Sequence, residues 1–160
     1  MGPRAPPRTR PPKFDRVDWA ILRRLARDGR ATFHDMARET GVSTSTVMNR
    51  VRRLSSSGVI ERFTLVVNPE SVNRSMTAFL AIRVRPERKN AVVERLREMA
   101  PVLEIYELLE PYDLLAKVRT DSVPSLKEAV LRVLSGLDGV LDATTFLTTR
   151  RHKEVPCHLD

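Results

Sequence analysis

A chain of 160 residues and 18.2 kDa has room for one medium domain or two small ones. Its formal charge of +8 is unevenly placed: residues 1–68 hold 14 Lys and Arg against 6 Asp and Glu, whereas residues 69–160 hold 14 against 14. The single cysteine, Cys157, excludes an intrachain disulfide and any complete cysteine-based zinc site, and no apolar run reaches the roughly 18 residues needed to span a bilayer.

These features set the first expectations. The start of the chain lacks the apolar segment of a signal peptide, so the reading is a cytoplasmic, nucleoid-associated protein with no membrane partner. Charge confined to one half fits a surface that neutralises phosphates and releases counterions; a merely solvated basic surface would spread along the chain.

In chain order, residues 1–13 carry five prolines and four basic residues without an acid, which predicts a disordered basic arm. Such an arm either touches DNA or only aids solubility. From Asp15 a helix is predicted with Val17, Ile21, Leu22 and Leu25 on one face, ended by Gly29. Thr32 caps a second helix whose stripe is Phe33, Met36 and Ala37, and Gly41-Val42-Ser43 turns the chain. Ser43 caps a third helix that buries Val47, Val51 and Leu54 and ends near Gly58. Residues 14–58 therefore read as a three-helix, winged-helix-like helix-turn-helix domain.

Residues 59–74 are expected to be a linker strand and hinge, because Val59 to Val67 is rich in β-branched and aromatic residues and Asn68-Pro69 closes it. Residues 75–153 then alternate as strand (Met76 to Val84), helix (Pro86 to Pro101), two strands (Val102 to Leu109, Asp113 to Arg119), helix (Val123 to Leu137) and strand (Val140 to Thr149). The fold class is α+β, with this half a ferredoxin-like βαββαβ unit and residues 154–160 a tail. Both helices fall on one face of the sheet. The other face still carries Phe79, Ala81 and Leu115, which points to homo-oligomerisation, with a symmetric dimer as the simplest form.

Specificity is expected on the third helix. With its apolar row turned inward, Ser45, Thr46, Asn49, Arg52 and Arg53 face away, joined by Thr44 at the amino-terminal turn. Arg grips guanine or phosphate, Asn pairs with adenine, and short hydroxyl side chains let a helix approach base edges in the major groove. Arg50 lies at the flank, suited to phosphate or to an intramolecular ion pair. A solvated face is the alternative for an isolated Arg-rich helix; its position after a glycine turn in the charged half favours double-stranded DNA.

These residues resemble the leucine-responsive and asparagine-synthesis (Lrp/AsnC) regulators. The resemblance spans Phe14 to Lys153 and is carried by Asp15, Asp18, Ile21-Leu22, Leu25, Asp28-Gly29-Arg30, Ala37, Gly41-Val42-Ser43, Arg50 to Leu54 and Gly58-Val59-Ile60. It implies a sequence-specific transcriptional regulator that binds pseudo-palindromic operators. It also implies a second domain that dimerises through its sheet, builds octamers from dimers and holds an amino acid between dimers. The family's effector turn reads glycine, any residue, aromatic, aspartate; here it is Glu110-Pro111-Tyr112-Asp113. Tyr112 and Asp113 match, and Asp113 is a natural partner for a ligand ammonium. Glu110 departs from the pattern, which leaves a blocked pocket, a preference for a cationic ligand such as lysine or arginine, or a solvated hairpin residue.

Catalysis, a metal and a cofactor are not expected. Haem-pathway (siroheme) decarboxylases resemble the same layout but cluster histidine in strands that here contain none, the three histidines being His34, His152 and His158. His152, Cys157, His158 and Asp160 follow no closed zinc spacing. A metabolite-binding module that never touches DNA would not need the basic first half.

Overall fold

A computed structural model describes residues 13–155 and Leu159; the proline-rich arm before Lys13, and Cys157, His158 and Asp160 of the tail, lie outside the described residues. The chain divides into two compact units. One runs to Val66 and takes back the chain from Lys153, and the other spans Val67–His152.

The first unit contains α1 (Arg16–Arg27), α2 (Phe33–Thr40) and α3 (Thr44–Ser56). Each start has a side-chain cap: Asp15 accepts from the Asp18 amide, Thr32 from that of Asp35, and Ser43 from that of Thr46. Gly41 ends α2 at φ 71°, a conformation that costs glycine little and lets the chain reverse tightly into α3. The core is Ile21, Leu22, Met36, Ala37, Val47, Val51 and Leu54, with Trp19 and Leu159 among the half-buried residues packed on it. Phe33, expected in the buried stripe, is instead 38% exposed.

The second unit contains β1 (Met76–Val84), α4 (Lys89–Arg97), β2 (Val102–Glu107), β3 (Leu114–Thr120), α5 (Val123–Leu126), α6 (Arg132–Ser135) and β4 (Val140–Leu147). The antiparallel sheet has the order β2-β3-β1-β4. Ala78, Leu80, Ile82 and Val84 of β1 and Leu114, Ala116 and Val118 of β3 share a core with Val92 and Leu96 of α4 and with Leu126, Val130 and Leu134. The alternation of the strands decides this, because successive side chains point to opposite faces. The opposite face carries Phe79, Ala81, Leu115, Tyr106 and Phe146, aligned in register across the four strands. Phe146 and Tyr106 are about half exposed.

Two expectations are corrected. The helix read as continuous over residues 123–137 contains a π-helical turn, Lys127–Leu131, between α5 and α6. Its buried residues Leu126, Val130 and Leu134 recur every four residues; a row at that spacing drifts off a turn of about 3.6 residues, and a wider turn keeps it against the sheet. The predicted strand Val59 to Val67 is not a strand within the single chain. A β-prone segment becomes a strand only by pairing, and among the described residues nothing forms a ladder with it. Phe63, Leu65, Val66 and Val67 are exposed as a result.

Gly139 closes the turn into β4 at φ 101°, and a Cβ there would stand 2.3 Å from the Arg88 Cβ. The Gly139 carbonyl accepts from the Arg85 amide at 2.8 Å, so the backbone cannot easily move aside. Gly139→Ala is expected to destabilise the chain by about 1–3 kcal/mol, measured by reversible urea denaturation followed by circular dichroism.

Candidate DNA-binding interface and effector hairpin

The outer edge of α3 is built by the burial of its inner edge. With Val47, Val51 and Leu54 in the core, Ser45, Asn49 and Arg52 stand exposed along one stripe at i, i+4 and i+7. Asn49 and Arg52 lie within reach of each other, Arg52 Nη1 donating to Asn49 Oδ1 at 3.4 Å. At the amino-terminal turn, Ser43 Oγ is 2.9 Å from Ser45 Oγ and 2.8 Å from Thr46 Oγ1, so a local hydroxyl network orients both side chains. Thr44 is exposed and Thr46 half-buried.

Arg50 and Arg53 are placed differently from the rest. Asp18, 1% exposed in α1, receives Arg50 Nη1 on Oδ1 at 3.1 Å and Arg53 Nη2 on Oδ2 at 2.6 Å. Arg50 also pairs closely with Asp15. The Arg50 side chain is 26% exposed and that of Arg53 58%, so Arg53 keeps an outward surface while it serves the carboxylate. For Arg50, the intramolecular ion pair is the alternative seen. Both carboxylates hold the Arg50 guanidinium above its ordinary pKa.

Sequence reasoning missed the role of Asp18. Its signal was present as a capping box, in which Asp15 accepts from the Asp18 amide and Asp18 from the Asp15 amide. That local pattern explains why an acid opens the helix. It does not explain why the acid is buried, which required the tertiary approach of α3.

In the second unit, Leu108 N donates to Asp113 O at 2.9 Å and closes the hairpin between β2 and β3. Asp113 then joins the sheet: its amide donates to Ile82 O at 3.0 Å, and its Oδ2 accepts from Val84 N at 2.8 Å. Tyr112 reaches β4, its hydroxyl 2.8 Å from Thr144 Oγ1. Glu110 is exposed. The structure therefore joins Tyr112 and Asp113 to the end of the sheet, where Asp113 already uses one carboxylate oxygen to satisfy a backbone N–H. Among the described residues no cluster of three or more His, Cys, Asp or Glu is arranged to hold a metal ion. No described helix is long and apolar enough to cross a membrane.

A capped three-helix unit with an Asn- and Arg-edged third helix, followed by a ferredoxin-like domain, defines a helix-turn-helix transcription regulator. Comparisons agree at both ends of the chain. The AsnC-type helix-turn-helix domain family matches residues 14–55, and the Lrp/AsnC ligand binding domain family matches residues 77–156. The chain belongs to the Lrp/AsnC family of DNA-binding transcriptional regulators. It is 34% identical over 141 residues to the HTH-type transcriptional regulator FL11 of Pyrococcus abyssi, covering 88% of this chain and 93% of that protein. It is 32% identical over 144 residues to the HTH-type transcriptional regulator LrpA of Mycobacterium tuberculosis, covering 87% and 96%.

The crystal structure of M. tuberculosis LrpA aligns with a TM-score of 0.82 at 28% identity, covering 92% of this chain and all of that one. The structure of the Neisseria meningitidis regulator NMB0573 in complex with L-Met has the same fold, with a TM-score of 0.83 at 24% identity over 90% of this chain and 95% of that one. These relatives are transcriptional regulators, and the decarboxylase alternative is set aside.

The clamp gives two expectations for stability. Asp18→Asn removes the charge that holds both guanidiniums and should destabilise the first unit by about 1–3 kcal/mol, read from thermal melts of the full chain. Asp15 is exposed, and its carboxyl is held below the ordinary 3.8, first by the Asp18 amide and then by the Arg50 guanidinium. A depressed carboxyl pKa stabilises the fold above the unfolded-state value, and that contribution disappears as pH falls through the lower folded-state value. Melting temperature should therefore decline below about pH 4, and Asp15→Asn should flatten that part of the curve.

Proposed function

We propose that this regulator reads operator bases with Ser45, Thr46, Asn49 and Arg52, and that Thr44 and the outward surface of Arg53 contact phosphates. Arg50, held between Asp15 and Asp18, sets the seating of α3 against α1. The observation that carries this reading is the exposed Ser45-Asn49-Arg52 stripe on a helix whose opposite side is fully committed to the core. Asn and Arg are the side chains whose paired donors and acceptors match adenine and guanine edges. Its place of action is the cytoplasm, on the nucleoid.

The active species in this reading is a homodimer, with an octamer of four dimers as the larger assembly. The apolar open face of the sheet and the exposed segment from Phe63 to Val67 support it, because both present apolar surface that a second copy would cover.

The effector is proposed to be an amino acid at the hairpin, since a structural neighbour is described as an L-Met complex. Asp113 would receive the ammonium on its remaining acceptor positions, Tyr112 would border the side chain, and the exposed Glu110 would favour a cationic side chain such as that of lysine or arginine.

Asn49→Ala and Arg52→Ala should each weaken operator binding by about 1–3 kcal/mol, and scrambled DNA far less. Gel-shift titrations on both DNAs at two salt concentrations measure this, and equal losses on the two would overturn the base-reading assignment. In a thermal-shift screen of the twenty amino acids, lysine or arginine should raise the melting temperature, because a ligand that binds only the folded state stabilises it. No shift with any of them would remove amino-acid sensing from the reading.

A further inference from the structure

A cavity of about 390 Å³ lies in the first unit, between α1 and the end of α2. Arg16, Val17, Ala20 and Arg23 form its α1 wall at i, i+1, i+4 and i+7, and Glu39 and Thr40, the last residues of α2, form the facing wall. At about 100° per residue, Arg16, Ala20 and Arg23 sit roughly 140–200° around α1 from Asp18, the residue that meets α3. The cavity therefore faces away from α3. Its volume falls within the roughly 300–1,000 Å³ of small-ligand sites.

The charges around it are unevenly matched. Glu39, the one carboxylate in the lining, accepts from Arg24 Nε at 3.2 Å, and Arg24 Nη1 donates to Asp28 at 3.2 Å. Arg24, Arg38, Arg50 and Arg53 of this unit each meet a carboxylate; among the described residues, Arg16 and Arg23 meet none. Arg23 is half-buried, and its Nε is shut from solvent without a hydrogen-bond acceptor, so the fold has removed water from this guanidinium without replacing it. With Arg24 and Asp28 included, three guanidiniums stand against two carboxylates. The carbonyls that end α2 are already engaged: Met36 O accepts from Thr40 Oγ1 at 2.6 Å, and Ala37 O from the Gly41 and Val42 amides at 2.9 and 3.2 Å. Thr40 Oγ1 gives its proton to Met36, so what it offers the cavity is an acceptor.

We propose that this cavity is a ligand site, separate from both the exposed stripe of α3 and the hairpin, for the phosphomonoester of a hydroxylated small molecule such as a sugar phosphate. Arg16 and Arg23 hold the phosphate, because the planar donor fork of arginine matches its oxygens, and the phosphate supplies the counter-charge that Arg23 lacks. The ligand hydroxyls donate to Thr40 Oγ1 and to Glu39, acceptors of the facing wall. A duplex lying along α3 would meet the opposite side of the unit, and a DNA backbone brings no free hydroxyl for Thr40. A ligand in this position joins α1 to the end of α2 directly before Gly41-Val42-Ser43, the turn into α3.

The test is isothermal titration calorimetry of the full chain with glucose 6-phosphate and ribose 5-phosphate, compared with glucose and with inorganic phosphate. Saturable binding of at least one sugar phosphate is expected, with glucose and inorganic phosphate each weaker by about tenfold or more. Arg16→Gln and Arg23→Gln should each weaken it by about tenfold. Arg16 is exposed, so Arg16→Gln should leave the melting temperature of the free chain in place. Arg30→Gln, which removes the same charge at an exposed position of the same unit outside the cavity, should bind as the parent chain does. An added random-sequence duplex should not displace the sugar phosphate. The proposal is overturned by no saturable binding of either sugar phosphate, by equal binding of glucose or of inorganic phosphate, or by undiminished binding to Arg16→Gln and Arg23→Gln. Equal losses on all three substitutions, or displacement by the duplex, would overturn it as well, the latter by assigning the arginines to the DNA backbone. Neither the base-reading assignment nor the amino-acid reading of the hairpin depends on the outcome.

Discussion

The DNA-binding unit depends on one buried carboxylate. Asp18 sits in the first helix at a position that pure hydrophobic patterning would give to an aliphatic residue, and two guanidiniums from α3 meet it from outside. An ionised carboxylate shut away from water without partners would be very costly; with both oxygens engaged by cations, the burden is largely compensated. The result is a directional link between α1 and α3. Aliphatic packing of Val47, Val51 and Leu54 fixes the depth of α3, and the charged contacts add resistance to rotation about its own axis. A few degrees of such rotation would displace the exposed edge that carries Asn49 and Arg52.

That arrangement also divides the arginines of α3 by task. Arg52 lies on the outer stripe beside Asn49, Arg50 is committed to two aspartates, and Arg53 binds Asp18 while keeping an exposed surface. A helical wheel separates Arg50, at the flank, from Arg52 and Arg53, but spacing from the apolar row does not disclose which acidic groups other helices bring near. The three capped helices were legible because each cap and each apolar row is local. The partner of Asp18 was not, because it lies more than thirty residues away in the chain.

The second domain shows the same boundary between local and nonlocal information. Period-two alternation was enough to assign Leu80 and Ile82 inward and Phe79 outward, and the register bears this out. The π-helical turn was hidden, because Leu126, Val130 and Leu134 satisfy a helical pattern whether the turn is regular or widened. For the hairpin, the residues Tyr112 and Asp113 could be named from the sequence, but their bonds to Thr144 and Val84 depend on how β1 and β4 flank the turn.

The exposed segment from Phe63 to Val67 bears on how such a chain must be made. Backbone groups without a ladder, flanked by large apolar side chains, form an adhesive edge that any extended neighbour can meet. A chain that carries this segment uncovered is therefore open to aggregation through it.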